Sequence, residues 1–231
     1  VAASDLKALD AKTSLNVVVN AKDVVITGNA ADVKTVLKAE GITLDKITVG
    51  DAVAVVVTGK VSAADVNTIA KATVGAVTAT EVAAGTAASL KAALTDTTAT
   101  DALTLTVTGT AAAADLVALD GKTSVPVDAT KVTAITGTLS EVTAAIITPA
   151  TKVTTAANVA VTIKGELTAA NVIELNTIAA ATGKVTATVA DTAALLLDTA
   201  NTGTNALATA STDAITIKVT NDYISGKTLA A

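Results

Sequence analysis

A short motif that recurs along the whole chain is the feature that most limits how the chain can fold. It closes apolar, strand-like runs, and its clear copies read Ile-Thr-Gly-Asn from residue 26, Val-Thr-Gly-Lys from 57, Val-Thr-Gly-Thr from 107, Ile-Thr-Gly-Thr from 135 and Ile-Lys-Gly-Glu from 163. Weaker copies begin at Val82, Val189 and Val219. The eight copies are about 28 residues apart, a spacing typical of repeat proteins.

A longer period joins these copies into pairs. The helix-start segment Ser-Ala-Ala-Asp-Val at 62–66 has counterparts that place Asp5, Asp115 and Asn171 at the position of Asp65. These four residues are separated by 60, 50 and 56 positions. We therefore expect four repeat units, at residues 1–60, 61–110, 111–166 and 167–222, followed by a C-terminal tail or cap at 223–231.

One half of each repeat has the spacing of a helix with a narrow apolar face. Val66 and Ile69, for example, are three positions apart, and alanine fills most of the remaining positions. This pattern favours short helices that lie close to a neighbour. Thr138 with Glu141 matches a capping box, which marks a helix start.

The other half of each repeat alternates with a period of two. From Leu103 to Thr108 the aliphatic residues face one way and the threonines the other. A strand, a turn, a helix and a further strand within one repeat predict a crossover between parallel strands. The predicted fold class is therefore α/β: a repeat solenoid of about eight strand–helix coils, with parallel strands on one face and short helices on the other. If the Ala-rich segments are not helical, the alternative is a set of all-β sandwich domains.

The residue types that the chain lacks exclude most catalytic chemistry. It has no His, Cys, Met, Arg, Phe or Trp, and Tyr223 is its one aromatic residue. Without His and Cys it lacks the usual general base, thiolate nucleophile and soft metal ligands. Without Arg it lacks a bidentate clamp for phosphate. We therefore expect no enzymatic activity and no cofactor; a hydrolase that uses carboxylates alone is the catalytic alternative.

The charge of the chain limits its partners. Sixteen lysines against 21 acidic residues give a net charge of −5. An acidic chain without stacking aromatics is poorly suited to nucleic acid, so we expect no nucleic-acid partner. No apolar run approaches the length of a transmembrane helix, so no membrane span is predicted. Because the sequence starts at Val1, we expect a mature product or a piece of a longer protein.

Threonines on the outward side of the predicted strands are the first candidate site. They are Thr78, Thr80, Thr104, Thr106, Thr108, Thr186 and Thr188. A flat array of methyl and hydroxyl groups is suited to binding ice, mineral or glycan. Threonine is also simply common on exposed strands, and Ala54, Val56 and Lys218 interrupt the array.

Acidic residues in predicted turns are the second candidate site. They are Asp96, Asp101, Asp213 and Asp222, and they could bind calcium. They lack the spacing of a calcium loop, and aspartate in a turn is usually a turn former. The recurrent position of Asp65 and its counterparts fits helix capping and the helix dipole. No metal site is predicted.

Two segments carry a resemblance to a known class of protein. Residues 167–176 and 189–197 are rich in Ala, Thr, Val and Leu. They resemble the Ala/Thr/Val-rich repeats of very large secreted bacterial surface proteins, both adhesin-like and S-layer-like. The resemblance implies an extracellular structural protein at the cell surface, a self-associating or tandem-array segment of an S-layer, surface fibre or adhesin stalk. Calcium-binding nonapeptides, frequent in such families, are absent from this sequence, so calcium dependence is not implied.

The ends of the predicted stack are the remaining candidate site. Leu6 and Leu9 already belong to the first helix pattern, and Tyr223 directly follows the last unit. A solenoid needs polar caps, because an open end exposes core residues and unpaired strand edges. We therefore expect the partner to be the protein itself, either as a head-to-tail homo-oligomer or as neighbouring repeats of a longer chain.

Overall fold

A computed structural model of the chain describes residues 1–20, 24–39, 44, 46–196, 207–208 and 210–220. Within these residues short helices alternate with short strands. The helices are α1 (Ala3–Lys12), α2 (Ala30–Val36), α3 (Ala63–Lys71), α4 (Ala87–Ala93), α5 (Ala113–Asp120), α6 (Leu139–Ile146) and α7 (Val172–Ala181). The strands are β1 (Val17–Val19), β2 (Val25–Gly28), β3 (Ile47–Val49), β4 (Ala54–Val57), β5 (Val77–Ala79), β6 (Ala102–Leu103), β7 (Thr106–Ala112), β8 (Val127–Gly137), β9 (Val153–Thr155), β10 (Ala160–Leu167), β11 (Val185–Asp191) and β12 (Ala214–Val219).

Polar side chains start several of these helices, as the sequence predicts. Thr138 and Glu141 form the expected capping box: the N–H of Glu141 donates to Thr138 Oγ1 at 3.3 Å, and the N–H of Thr138 donates to the Glu141 carboxylate at 2.8 Å. Asn29 accepts the N–H of Asp32 at 2.9 Å at the start of α2. Helix α1 differs, because Ala2 has no side-chain acceptor for its first N–H groups.

The strands pair in parallel. One sheet has the order β2-β4-β5-β6, another the order β12-β11-β10-β8-β7 with β9 on β8, and β1 pairs with β3. In β2–β4, β4–β5, β5–β6, β1–β3, β8–β10, β10–β11 and β11–β12 both strands run in the same direction. The α/β class is therefore confirmed. The all-β sandwich alternative is wrong, because the Ala-rich segments are helices.

Small aliphatic side chains build the core. Ile69 of α3, Leu103 of β6 and Ile135 of β8 are fully buried, and Val66 of α3 is buried beside Ile69. Burial of each such side chain contributes about 1.5–3 kcal/mol. Because the described residues include no aromatic ring that could fill a wider gap, their helices and strands must lie close together.

The chain departs from the predicted strand pattern in two places. The run from Leu103 to Thr108 is not one strand, because β6 ends at Leu103 and β7 begins at Thr106. The weak motif copy at 82–86 forms isolated parallel bridges, Val61 to Val82 and Gly85 to Val107, rather than a strand. That copy contains Ala83-Ala84-Gly85, which lacks the β-branched residues that favour strands.

The glycine of the recurring motif has two structural uses. At Gly59, Gly109 and Gly165 the backbone φ is 72°, 77° and 85°. This left-handed conformation strains any residue that carries a Cβ. Gly28 has an ordinary φ, but a Cβ there would lie 3.1 Å from the Cβ of the buried Ala3, so glycine lets helix α1 approach the end of β2. The glycines of the motif therefore have two kinds of local backbone.

The chain divides into two compact units. The first comprises Val1–Thr108, Ala118–Ala129 and Lys152–Thr154. The second comprises Gly109–Val117, Thr130–Thr151 and the described residues from Thr155 onward. The division of the sequence into four repeat units and a tail stays a prediction.

Candidate functional site

The structure places the predicted threonines on strands or next to them. Thr78 lies in β5, Thr106 and Thr108 in β7, and Thr186 and Thr188 in β11, whereas Thr80 and Thr104 lie just outside strands. They face outward to different degrees: Thr80, Thr104 and Thr186 are exposed, and the other four are half-buried.

In the first unit the outward row is broken. The strand register places Val56 of β4 between Thr27 of β2 and Thr78 of β5, and Ala102 of β6 follows Thr78. Two threonines therefore alternate with two apolar residues across four strands. The interruption at Val56 agrees with the sequence analysis.

In the second unit the row is continuous over three strands. Thr136 of β8 lies opposite Thr162 of β10, and Thr162 lies opposite Thr186 of β11. Two residues after Thr186 on β11, Thr188 lies opposite Thr216 of β12. Since parallel strands are about 4.8 Å apart, these five threonines form a compact surface. We call them the threonine patch.

Three members of the patch, Thr136, Thr162 and Thr216, were missed by the sequence analysis. For Thr162 the reason is the strand register: Thr136 lies opposite Thr162, whereas alignment of the motif copies at 135 and 163 matches Thr136 with Lys164. The alternation within each strand is the signal that could have found Thr136 and Thr162, since each follows a buried aliphatic residue of its strand.

An ion pair borders the threonine patch. Lys218 Nζ lies 2.6 Å from a carboxylate oxygen of Glu166, and both side chains are 54% exposed. Lys218 follows Thr216 by two positions on β12, so it lies on the same face of the sheet. The patch is thus neutral at its centre and charged at this edge.

Two of the turn aspartates accept hydrogen bonds from backbone N–H groups. Asp101 accepts the N–H of Val77 through Oδ1 and the N–H of Thr98 through Oδ2, both at 2.8 Å. Asp213 repeats the arrangement at the start of β12, where Oδ1 accepts from Val185 at 2.6 Å and Oδ2 accepts from residue 210 at 2.7 Å. Each carboxylate therefore joins its own turn to the first residue of the neighbouring strand. Asp222 lies outside the described residues.

Two buried threonines, which the sequence analysis did not single out, form similar links. Thr123 Oγ1 donates to the carbonyl of Leu103 at 2.9 Å and accepts the N–H groups of Leu103 at 2.9 Å and of Val125 at 3.1 Å. Thr73 Oγ1 donates to the carbonyl of Val53 at 2.6 Å. The two threonines are 8% or less exposed. Both stand eight positions after a recurrent aspartate, a spacing that could have identified them.

The recurrent acidic position takes part in links between helices. Lys34 of α2 lies 2.6 Å from Asp65 of α3, and Lys7 of α1 forms an ion pair with Asp32 of α2. Hydrogen bonds from Lys34 and then Ser62 lower the pKa of the Asp65 carboxyl, and Lys7 is the main cause of the lowered pKa of Asp32. These aspartates act in helix starts and helix packing.

The counterparts of Asp65 also lie at helix starts. Asp5 is in the first turn of α1 and Asp115 in the first turn of α5. Asn171 precedes α7, and its Oδ1 accepts the N–H of Thr168 at 3.0 Å. The structure therefore supports the capping interpretation of this position.

The residues proposed as end contacts have different environments. Leu6 is a core residue at 5% exposure, whereas Leu9 is 43% exposed. Tyr223 lies outside the described residues. On β12, Ile217 and Val219 are about half exposed, although the residues opposite them on β11 face the core or its edge.

No matches were found when the chain was compared with models of known protein families, with curated proteins and with solved structures. Within the described ranges, none of the helices is both long and apolar enough to cross a membrane. The same part of the chain contains no group of three or more acidic side chains placed to hold a metal ion.

Proposed function

We propose that this chain is an extracellular structural protein without catalytic activity, whose coils stack as a repeat solenoid in an S-layer, surface fibre or adhesin stalk. The observation that carries the proposal is the repeated link between neighbouring strands. Asp101 and Asp213 hold the first N–H of the preceding strand, Val77 and Val185, with the same geometry 112 positions apart. A link of this kind can be added coil by coil, as a solenoid requires.

The use of the buried polar groups supports a structural role. Thr73, Thr97, Asp101 and Thr123 are the buried polar side chains among the described residues, and each bonds to backbone atoms. In that part of the chain no buried side-chain nitrogen or oxygen lacks a hydrogen-bond partner. An enzyme site usually keeps such groups available for substrate.

The last described strand supports self-association. Val189 of β11 is 1% exposed, but Ile217, directly opposite it on β12, is 51% exposed. Val219 continues the same apolar face at 48% exposure. A neighbouring repeat, or a second copy of the chain, would cover this face in an assembly.

Sedimentation and electron microscopy of the purified chain test the assembly, and surface labelling of intact cells tests the location. We expect ordered filaments or sheets, and we expect Ile217→Lys to abolish them. Ile173→Lys is the matched control, because Ile173 is 55% exposed on helix α7, away from the strand edge. A chain that stays monomeric at every concentration and is not found outside the cell would overturn the proposal.

The second candidate function is a binding module that uses the threonine patch for ice, mineral or glycan. The observation that favours it is the unbroken register of Thr136, Thr162 and Thr186. Evenly spaced hydroxyl and methyl groups on three strands form a flat surface that matches an ordered ligand better than a flexible one.

Replacement of the central threonine tests this second function. Thr162→Lys should abolish ice shaping or adsorption to mineral and crystalline glycan, because the long charged side chain prevents flat contact. Ser140→Lys, at an exposed position of helix α6, is the control. Equal adsorption by both variants would exclude the patch as the binding surface.

A further inference from the structure

Three lysines surround one region of the first unit, and two of them, Lys71 and Lys122, lie near the Asp96 carboxylate. Lys71 is the last residue of α3, and Lys38 follows the end of α2. Lys122 Nζ donates to the carbonyl of Thr95 at 3.3 Å, next to Asp96. In a chain with a net charge of −5, this is a local excess of positive charge.

These residues lie in or beside a cleft with two lobes. The larger lobe has a volume of about 570 Å³ and the smaller about 440 Å³. Lys71 and Asp96 line both lobes, and Asp101 adds a second carboxylate to the smaller one, so the excess of positive charge lies in the larger lobe. Volumes of this size are typical of sites for small ligands.

The charges of the cleft are available to a ligand. Lys38 and Lys71 form no ion pair with any residue in the described part of the chain. Asp96 is already bonded: its Oδ2 accepts from Asn67 Nδ2 at 2.8 Å and from Thr95 Oγ1 at 3.0 Å. These two bonds, and then the charges of Lys71 and Lys122, lower the pKa of the Asp96 carboxyl. The larger lobe is therefore lined by two lysines and one aspartate.

The backbone of Lys38 adds a second observation. Its φ of 56° is in the left-handed region, which is uncommon for a residue other than glycine. Glycine is the usual residue after a helix end of this kind and avoids a strain of about 1 kcal/mol. The left-handed turn places the Lys38 side chain at the C-terminal end of α2, where the helix dipole favours its charge and where it lines the larger lobe.

The walls of the cleft indicate which anion fits. Besides the charged groups they carry amide and hydroxyl side chains, among them Asn67, Thr68, Thr98 and Thr100. Such groups bond to the hydroxyls of a sugar. Aromatic side chains, on which a nucleotide base stacks, do not line either lobe.

We propose that this cleft binds hexuronate units of an acidic polysaccharide, with the sugar carboxylate at the two lysines of the larger lobe, Lys38 and Lys71, and the sugar hydroxyls on the Asp96 carboxylate and on the hydroxyl side chains of the walls. The inference does not rest on the proposed structural function. It assigns to the chain a glycan ligand whose negative charge is recognised by lysine.

Calorimetric titration of the full chain with a galacturonate tetramer tests the proposal. We expect saturable binding that weakens with added salt and no binding of a neutral glucose tetramer. Lys71→Gln and Lys38→Gln should each weaken binding about tenfold, because each removes a charge-assisted hydrogen bond. Lys60→Gln, an exposed lysine of the same unit outside the cleft, should bind as the unchanged chain does.

Three results would overturn the proposal. They are no saturable binding of the acidic tetramer, full binding by both cleft variants, or displacement of the tetramer by inorganic sulfate at equal concentration, which would indicate a site for simple anions. Thermal melts of each variant establish that lost binding is not lost folding. A chain that assembles but binds no uronate would overturn this inference and leave the proposed structural function intact.

Discussion

Asp101 accepts the backbone N–H of Val77 at 2.8 Å, so a carboxylate in the turn before one strand bonds the first residue of the neighbouring strand. Asp101 is only 4% exposed, and the second oxygen of its carboxylate accepts the N–H of Thr98. This contact joins the local turn to the parallel pairing of β5 and β6. It explains why an acidic residue is placed inside an aliphatic core.

Asp101→Ala should be strongly destabilising. It leaves the buried N–H of Val77 without its acceptor, which costs about 1–3 kcal/mol, and it also removes the acceptor of the N–H of the exposed Thr98. Denaturation by urea, read by circular dichroism, measures the loss. Asp51→Ala is the control, since Asp51 lies in an exposed turn. Equal free energies of unfolding for the two variants would show that the link does not stabilise the fold.

Thr123→Val should also destabilise the chain, by about 2–3 kcal/mol, because the near-isosteric side chain removes the hydroxyl from its four backbone partner groups. Thr123→Ser keeps the hydroxyl and should lose only about 1 kcal/mol for the missing methyl group. Thr104→Val, in an exposed position beside a strand, should be nearly neutral. Urea denaturation of the three variants gives the comparison. If serine proves as harmful as valine, packing rather than hydrogen bonding is the cause.

Replacement by Asn and by Ala should change the melting temperature in opposite order at the two kinds of glycine. At Gly109, where φ is 77° and an added Cβ would have no heavy atom within 4 Å, Asn should be tolerated better than Ala, because Asn adopts the left-handed conformation more readily. At Gly28, Asn should be worse than Ala, because space next to Ala3 is the limit. Thermal melts of the four variants give the order. The same order at both sites would contradict two separate roles.

Low pH should weaken the ion pair between Lys34 of α2 and Asp65 of α3. Because the pKa of Asp65 is lowered in the folded chain, its contribution to stability is present above the ordinary value of 3.8 and is lost as the pH falls through the lower folded value. The ion pair is partly exposed, so we expect less than about 1 kcal/mol. Asp65→Asn should flatten the dependence of stability on pH below about 4 relative to Asp51→Asn, as measured by thermal melts across that range. An unchanged acid profile would show that the pair has no net effect.

The elements with a strong local signal were predictable. The capping box at Thr138 and the helix stripe of Val66 and Ile69 were both recognisable, because caps and apolar spacing act over three or four residues. The ends of the strands were less predictable from the sequence. The break between Leu103 and Thr106 depends on how the chain turns beside β5, where Thr104 donates its N–H to the carbonyl of Ala79 at 3.0 Å.

The candidate sites show the same limit. Thr186 and Thr188 were identified from alternation alone, but Thr162, which lies opposite Thr186, was not, since the motif copies match Lys164 rather than Thr162 with Thr136. The lysines of the cleft are distant in sequence and belong to no motif. Lys38 and Lys71 come together only because the ends of α2 and α3 lie at the same edge of the first unit.

The spacing of the repeat by itself determined the α/β class and the direction of the strands. The residue composition determined that the chain has no His or Cys side chain for catalysis or metal binding. Both are properties of the chain before it folds. Only the tertiary structure decided which polar side chains are buried as links, such as Asp101 and Thr123, and which threonines share a row. Those facts depend on register between strands that are about 25 residues apart in sequence. Register is set by packing over the whole core, and no short motif encodes it.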